Sequence, residues 1–202
     1  MVNLLATWQH STNLKLSDKK IDFYDTCLPG QNTLLFYGYS NDLTASTVAS
    51  VDDKILSFLG FYEALHKFVR FANVRFDLRQ EEQIYYHDNR TLFDTSIHSH
   101  LPDPSLGFPD TTTGSNLSNL LRTFLSQNPP CGSFVLLSVK RNIHDQDLSD
   151  VIRLLQKHRI SVFTFASDQM IGGADYYNQL YQLSSRTNGL LTYDQEGNFA
   201  KA

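Results

Sequence analysis

From Ser133 onward the chain alternates two kinds of pattern. Three short, continuously apolar runs, Ser133-Phe-Val-Leu-Leu-Ser-Val139, Ile160-Ser-Val-Phe-Thr-Phe-Ala166 and Leu190-Leu-Thr-Tyr193, are separated by two stretches of helical period, Asp147–His158 and Ala174–Arg186. A strand apolar on both faces must lie between two layers, and short links between such strands and helices require right-handed crossovers and a mostly parallel sheet. The pattern predicts an α/β fold of the doubly wound, Rossmann-like type: a three-layer sandwich around a central sheet of about six strands.

The first half fits the same frame. Thr33-Leu-Leu-Phe-Tyr-Gly-Tyr39 reads as a central strand. Val51, Ile55, Phe58, Leu59, Tyr62, Leu65, Phe68 and Val69 then recur every three or four residues, as on a long helix opened by Ala45, Ser46 and Thr47. Asp52-Asp53 suit the amino-terminal half of that helix. Ala72-Asn-Val-Arg-Phe-Asp-Leu78 alternates with period two, as a half-exposed strand does, and pairs with Ile84-Tyr-Tyr86 as an antiparallel edge hairpin whose turn, Arg79-Gln-Glu-Glu82, is charged. Residues 89–114 are the least regular stretch and read as a long loop. Leu117, Leu120, Leu121, Phe124 and Leu125 mark a second amphipathic helix. Residues 1–29 are weakly periodic and are expected as an extension packed on the domain of residues 30–202.

Composition narrows the function. A chain of 202 residues with 41% hydrophobic residues makes one domain with a full core. The net charge is −4 with no basic block, so nucleic acid is not an expected partner. No apolar run is long enough for a membrane span, and Met1–Trp8 lacks the marks of a secretory leader. Cys27 and Cys131 each sit beside a proline-containing turn just upstream of a strand, which allows either a bridge at one end of the sheet or two separate thiols. Asn89-Arg-Thr and Asn116-Leu-Ser are glycosylation sequons, relevant in a secreted chain.

Open parallel sheets bind ligands at the carboxyl ends of their strands. Here that edge is assembled from the loops after Tyr39, before Ser115, after Val139 and after Ala166. Gly38-Tyr-Ser40-Asn-Asp42, Gly114-Ser-Asn-Leu-Ser-Asn-Leu-Leu121 and Ser133–Lys140 stand there in an order that resembles the von Willebrand factor A-type domain, and the resemblance extends over residues 30–195. In that family an Asp-x-Ser-x-Ser loop, a Thr loop and an Asp after the fourth strand form a metal-ion-dependent adhesion site. The resemblance places Ser40, Asp42 and Ser115 at metal-ligand positions, with Gly38 and Val139 where the family carries Asp. Magnesium requires charged, hard oxygen ligands, so the loss of two carboxylates implies a weak or lost magnesium site and no resident cofactor. The resemblance therefore implies a non-catalytic adhesion module, of extracellular type. Its protein or glycan partner would be bound through Ser40, Asn41, Asp42, Ser115, Asn116 and Lys140, rimmed by the loop from His98 to Asp110. The family's final helix is hardly visible after Tyr193, as in a chain clipped from something longer.

Other constellations are weaker. His87-Asp88, Asp94, His98, His100 and Asp103 form a zinc-compatible patch without the paired close ligands of closed zinc sites. Gly172-Gly173 suits a turn or an anion cradle. A hydrolase or a nucleotide-binding enzyme on a Rossmann-like sheet is the rival reading, but neither a Gly-x-Ser-x-Gly elbow nor a glycine-rich phosphate loop is present.

Overall fold

Thr33–Ser40 (β1) is buried along its whole length, because helices cover both faces of the sheet. The computed structural model describes residue 27 and residues 31–62, 67–145, 147–173 and 177–201. After β1 come α1 (Ala45–Tyr62), β2 (Phe68–Phe76), β3 (Tyr85–His87), α2 (Arg90–Ser99), α3 (Leu117–Ser126) and β4 (Phe134–Arg141). The chain continues through α4 (Ser149–Lys157), β5 (Ser161–Ile171), α5 (Tyr177–Ser185), β6 (Leu191–Asp194) and a 3₁₀ helix, Glu196–Lys201. The sheet order is β3-β2-β1-β4-β5-β6, parallel throughout except for β3. The order reverses between β1 and β4, which makes their carboxyl ends the switch point of a doubly wound sheet.

Side-chain alternation along β1 sorts the core into two. Leu34 and Phe36 face α3, α4 and α5, where the Phe36 ring stacks on Phe124 at 4.6 Å. Leu35, Tyr37 and Tyr39 face α1, α2 and Phe199 of the 3₁₀ helix. Each such Leu or Phe contributes about 1.5–3 kcal/mol by leaving water.

Several expectations are corrected. Phe68 and Val69 begin β2 rather than ending the preceding helix. Residues 71–76 of β2 are fully buried, not half-exposed, because β1 and β3 flank the strand and α2 covers the face carrying Asn73 and Arg75. The edge strand is β3, in register Phe71↔His87 and Asn73↔Tyr85. The loop expected over residues 89–114 contains α2: Asn89 caps it by accepting from the Leu92 amide at 2.9 Å, and Phe93 and Ile97, one turn apart, are its buried stripe. Two apolar anchors were too few to show a period. Asp52 lies in the third turn of α1, beyond the reach of the helix-end dipole, and on the buried face beside Val48, Val51 and Ile55. After β6 the 3₁₀ helix buries Phe199, where sequence showed almost nothing.

Cys27 and Cys131 form a disulfide with Cα atoms 5.4 Å apart. Apart from Cys27, the extension expected over residues 1–29 lies outside the described residues, as do Ala174–Tyr176 of the expected last helix. Among the described residues no helix is long and apolar enough to cross a membrane.

Candidate functional site

The carboxyl edge is organised around Asp77, the residue after β2. Its backbone turns left-handed (φ 64°) and its side chain is wholly buried. The Ser40 hydroxyl donates to Asp77 Oδ2 at 2.5 Å, and the Ser115 hydroxyl donates to Oδ1 at 2.7 Å. The Asn116 amide adds a bond to Oδ1, and the Asp77 amide donates to Asn116 Oδ1 at 3.1 Å. Burial pushes the Asp77 carboxyl up to about 6, against the pull of the two hydroxyls. Ser40 and Ser115 therefore tie the ends of β1 and the α3 loop to the end of β2, and both are fully buried. The Ser115–Ile143 bridge ties the same loop to the chain after β4.

Beside this hub lies an ion pair. Arg141, the last residue of β4, donates from Nε to Asp42 Oδ2 at 2.5 Å and from Nη2 to Asp42 Oδ1 at 2.8 Å. Its side chain is 1% exposed. It also donates to the carbonyls of Thr113 (2.8 Å) and Asp110 (3.0 Å) and lies over the Phe108 ring. Burial works against the Arg141 charge, but the Asp42 carboxylate together with Asp77 and Asp110 more than offsets it and raises its pKa. A fork-to-fork pair of this kind is the strong form of charge-assisted hydrogen bond.

The sequence-predicted residues thus separate. Ser40, Asn41, Asp42, Ser115 and Asn116 meet at this edge, but most of their polar atoms are bonded inward. Asn41 clamps the backbone of Asp103, donating to its carbonyl at 2.9 Å and accepting from its amide at 2.8 Å. Asn116 Nδ2 donates to Glu81, which leaves that sequon's amide engaged. Lys140 points to the opposite face of β4, where it pairs with Glu196 and reaches Ser167. Gly38 and Val139 are interior: a Cβ on Gly38 would press on Leu137 and Leu120, and Val139 is core. The strands run on to Ser40 and Arg141, so those residues hold the edge. Sequence reasoning missed Asp77 and Arg141. The signal for Arg141 was parity, since it shares a face with Leu137 and Val139, whereas Lys140 does not.

The rim is a loop held at several points. Asp110 accepts from the amides of Thr112 (2.8 Å) and Thr113 (2.6 Å) and from both hydroxyls, which hold its carboxyl far below the usual range. Gly172 and Gly173, both left-handed, donate to the carbonyls of Thr111 (2.8 Å) and Thr112 (2.7 Å). A Cβ on Gly172 would collide with the Thr113 carbonyl, so glycine is required there. Next to this loop, Leu78, the charged turn Arg79–Glu82 and Leu106 line a cleft of about 400 Å³. Leu106 is 41% exposed.

The His/Asp patch is mostly dispersed into structural contacts. His87 Nε2 donates to Asn73, Asp88 pairs loosely with Arg70, and His100 stacks on Tyr85. Away from the carboxyl edge, between α1 and α2, Asp94 and His98 meet Asp52, their ligand atoms all within 4.8 Å of one another.

Two solved structures are similar to the chain, and the second of them shares its fold. A von Willebrand factor type A protein from Catenulispora acidiphila is 11% identical, with a TM-score of 0.48. That similarity covers 85% of this chain, which spans 41% of that one. The SpRpn10 VWA domain is 9% identical with a TM-score of 0.53, over 82% of this chain and 89% of that chain. At such identity the likeness to the SpRpn10 domain is one of fold alone. No curated protein matches the chain. The model of the von Willebrand factor type A domain family matches residues 39–201, which takes in α1, the site and every strand after β1. The chain belongs to the von Willebrand factor type A domain family.

Proposed function

We propose that this chain is a recognition module that engages a protein or glycan partner at the carboxyl edge of its sheet, without a bridging metal ion. One observation carries the reading: both oxygens of Asp42 are taken by the buried Arg141 guanidinium. Asp42 is the carboxylate among the three residues the resemblance assigns to a cation, and the hydroxyls of the other two, Ser40 and Ser115, donate hydrogen bonds to Asp77 while accepting from the amides of Asp42 and Leu117. A guanidinium already supplies the positive charge that a divalent ion would bring, so a cation would have to displace it.

The contact surface is then the exposed rim rather than the buried residues beneath it. Thr44 and Ser46, Pro104–Leu106 and Thr111–Thr112 face solvent, and Leu106 also lines the cleft beside the charged turn. An apolar spot with a polar surround suits a peptide segment or a sugar face. The enzymatic alternative calls for titratable groups converging on a cavity. The larger cavity, of about 500 Å³, lies between α1 and the sheet and is lined by Leu35, Ile55, Phe58, Phe134, Phe163 and Phe199 together with Lys54 and Lys67. Among the described residues it offers no carboxylate or imidazole for proton transfer.

The test is binding to glycan and peptide arrays in millimolar EDTA, repeated with Mg²⁺ or Mn²⁺. The expected result is retention indifferent to either ion and lost in Leu106→Glu and Thr111→Lys. Retention that requires Mg²⁺ overturns metal independence. Retention that survives both rim substitutions overturns the assignment of the surface.

A further inference from the structure

Asp52 is an anomaly of the core. It is 0% exposed, it lies on the apolar stripe of α1, and among the described residues neither of its oxygens receives a hydrogen bond. A buried carboxylate without donors costs several kcal/mol unless a positive charge or a proton compensates it. Among the described residues its ion-pair partner is His98, whose Nδ1 lies 3.5 Å from Asp52 Oδ2. The same Nδ1 lies 3.2 Å from Asp94 Oδ1. Asp94 and His98 are four residues apart on α2 and so share one face of it. Two carboxylates and an imidazole thus converge across the seam between α1 and α2.

We propose that Asp52, Asp94 and His98 form a binding site for a divalent transition cation, and that zinc is the ion this donor set fits best. Three arguments converge. A nitrogen with two carboxylate oxygens is a set that zinc accepts, whereas magnesium and calcium prefer oxygen alone. Ligands held about 2.0–2.1 Å from a tetrahedral ion stand about 3.3–3.4 Å from one another. The two separations at His98 Nδ1, 3.2 and 3.5 Å, bracket that edge. Finally, the site has a wet side: the side chains of His98 and Asp94 are 48% and 35% exposed, which leaves a path in and a fourth position for water. In the metal-free ring Nδ1 also donates to the Asp94 carbonyl at 3.1 Å. Zinc takes the lone pair of that nitrogen in place of its proton, which leaves to solvent.

The position matters because α2 is otherwise fixed to the core by two apolar side chains, Phe93 and Ile97. A cation here staples α2 to α1 through residues that include neither Asp42 nor Arg141, so the site stands independently of the reading of the carboxyl edge.

The experiment is zinc binding by the full chain, stripped with chelator and free of any histidine tag. It combines equilibrium dialysis with thermal melting, with Mg²⁺ and Ca²⁺ as controls. The expected result is one zinc per chain. A melting point about 5–10 °C higher is expected at a hundredfold excess over Kd. Neither control ion should reproduce the shift. His98→Ala, at a half-exposed position, should fold and lose both signals. Asp52→Asn removes the donor-less carboxylate, so it should melt at or above the metal-free wild type and still lose the zinc response. That combination separates a lost ligand from a lost fold. Absence of stoichiometric zinc on the wild type overturns the proposal, and so does zinc bound equally by His98→Ala and Asp52→Asn.

Discussion

Asp42→Asn should be among the costliest single-atom changes at the surface of this domain. The substitution keeps the shape of the side chain and removes the charge that pairs with Arg141, whose side chain is 1% exposed. What remains for the guanidinium is the carbonyl of Thr113 at 2.8 Å, the carbonyl of Asp110 at 3.0 Å and the face of Phe108. Breaking a buried pair from one side costs about 3–5 kcal/mol. The two carbonyls and the partial exposure of Asp42 (16%) place this case at the low end, about 3 kcal/mol. For a domain of this length that lowers the melting point by about 6–12 °C. Arg141→Met removes the other charge and leaves Asp42 able to find water, so its cost should be smaller, about 1–2 kcal/mol. The double variant Asp42→Asn/Arg141→Met should be more stable than Asp42→Asn alone, because no unpaired charge stays buried. Urea unfolding of all four proteins, with the disulfide intact, gives the cycle. A cost for Asp42→Asn below about 1 kcal/mol, or strict additivity of the two changes, would refute the reasoning.

Two further outcomes follow from the same geometry. The Cys27–Cys131 bridge closes a loop with a sequence separation of 104, for which chain entropy gives about 4–5 kcal/mol. Reductant should lower the melting point of the wild type by about 8–20 °C and leave Cys131→Ser unchanged; a wild type indifferent to reductant contradicts the bridge. Asp110 is depressed in the folded state by the amides and hydroxyls of Thr113 and Thr112, so its stabilisation is complete above the ordinary value of 3.8 and fades as pH falls below it. Asp110→Asn should melt below wild type at pH 7, and the gap should narrow below pH 4; a gap that stays constant to pH 2 contradicts that assignment.

Much of this fold was legible because apolar runs and helical stripes report burial directly. β1, β4 and β6, and helices α3 and α4, follow from that pattern to within a few residues, whereas β5 runs on to Ile171 and the stripe read as α1 extends into β2. The carboxyl edge was legible too, since topology alone places it. What resisted reading were residues whose role depends on partners distant in sequence. Asp77 takes its donors from positions 40, 115 and 116, and Arg141 pairs with a residue 99 positions away. A polar residue at the end of an apolar strand looks alike whether it faces water or a buried counter-charge. Asp52 was hidden differently: two consecutive aspartates near the start of a helix suggest dipole compensation, and only the position of α2 brings Asp94 and His98 against the one that shares the buried face with Val48 and Ile55. α2 was itself obscured by having two buried anchors in ten residues.

The rim loop has one more consequence, for the kinetics of association. Arg141, the amides of Gly172 and Gly173, and the Asp110 turn hold residues 110–113 from three sides before any partner arrives. A surface already in its bound shape pays little ordering entropy at contact, and its free and bound backbones differ little. Association should then proceed in a single phase whose rate rises linearly with partner concentration, with no concentration-independent step that would mark a loop folding onto its ligand. Differences among partners will be written in how long they stay rather than in how fast they come.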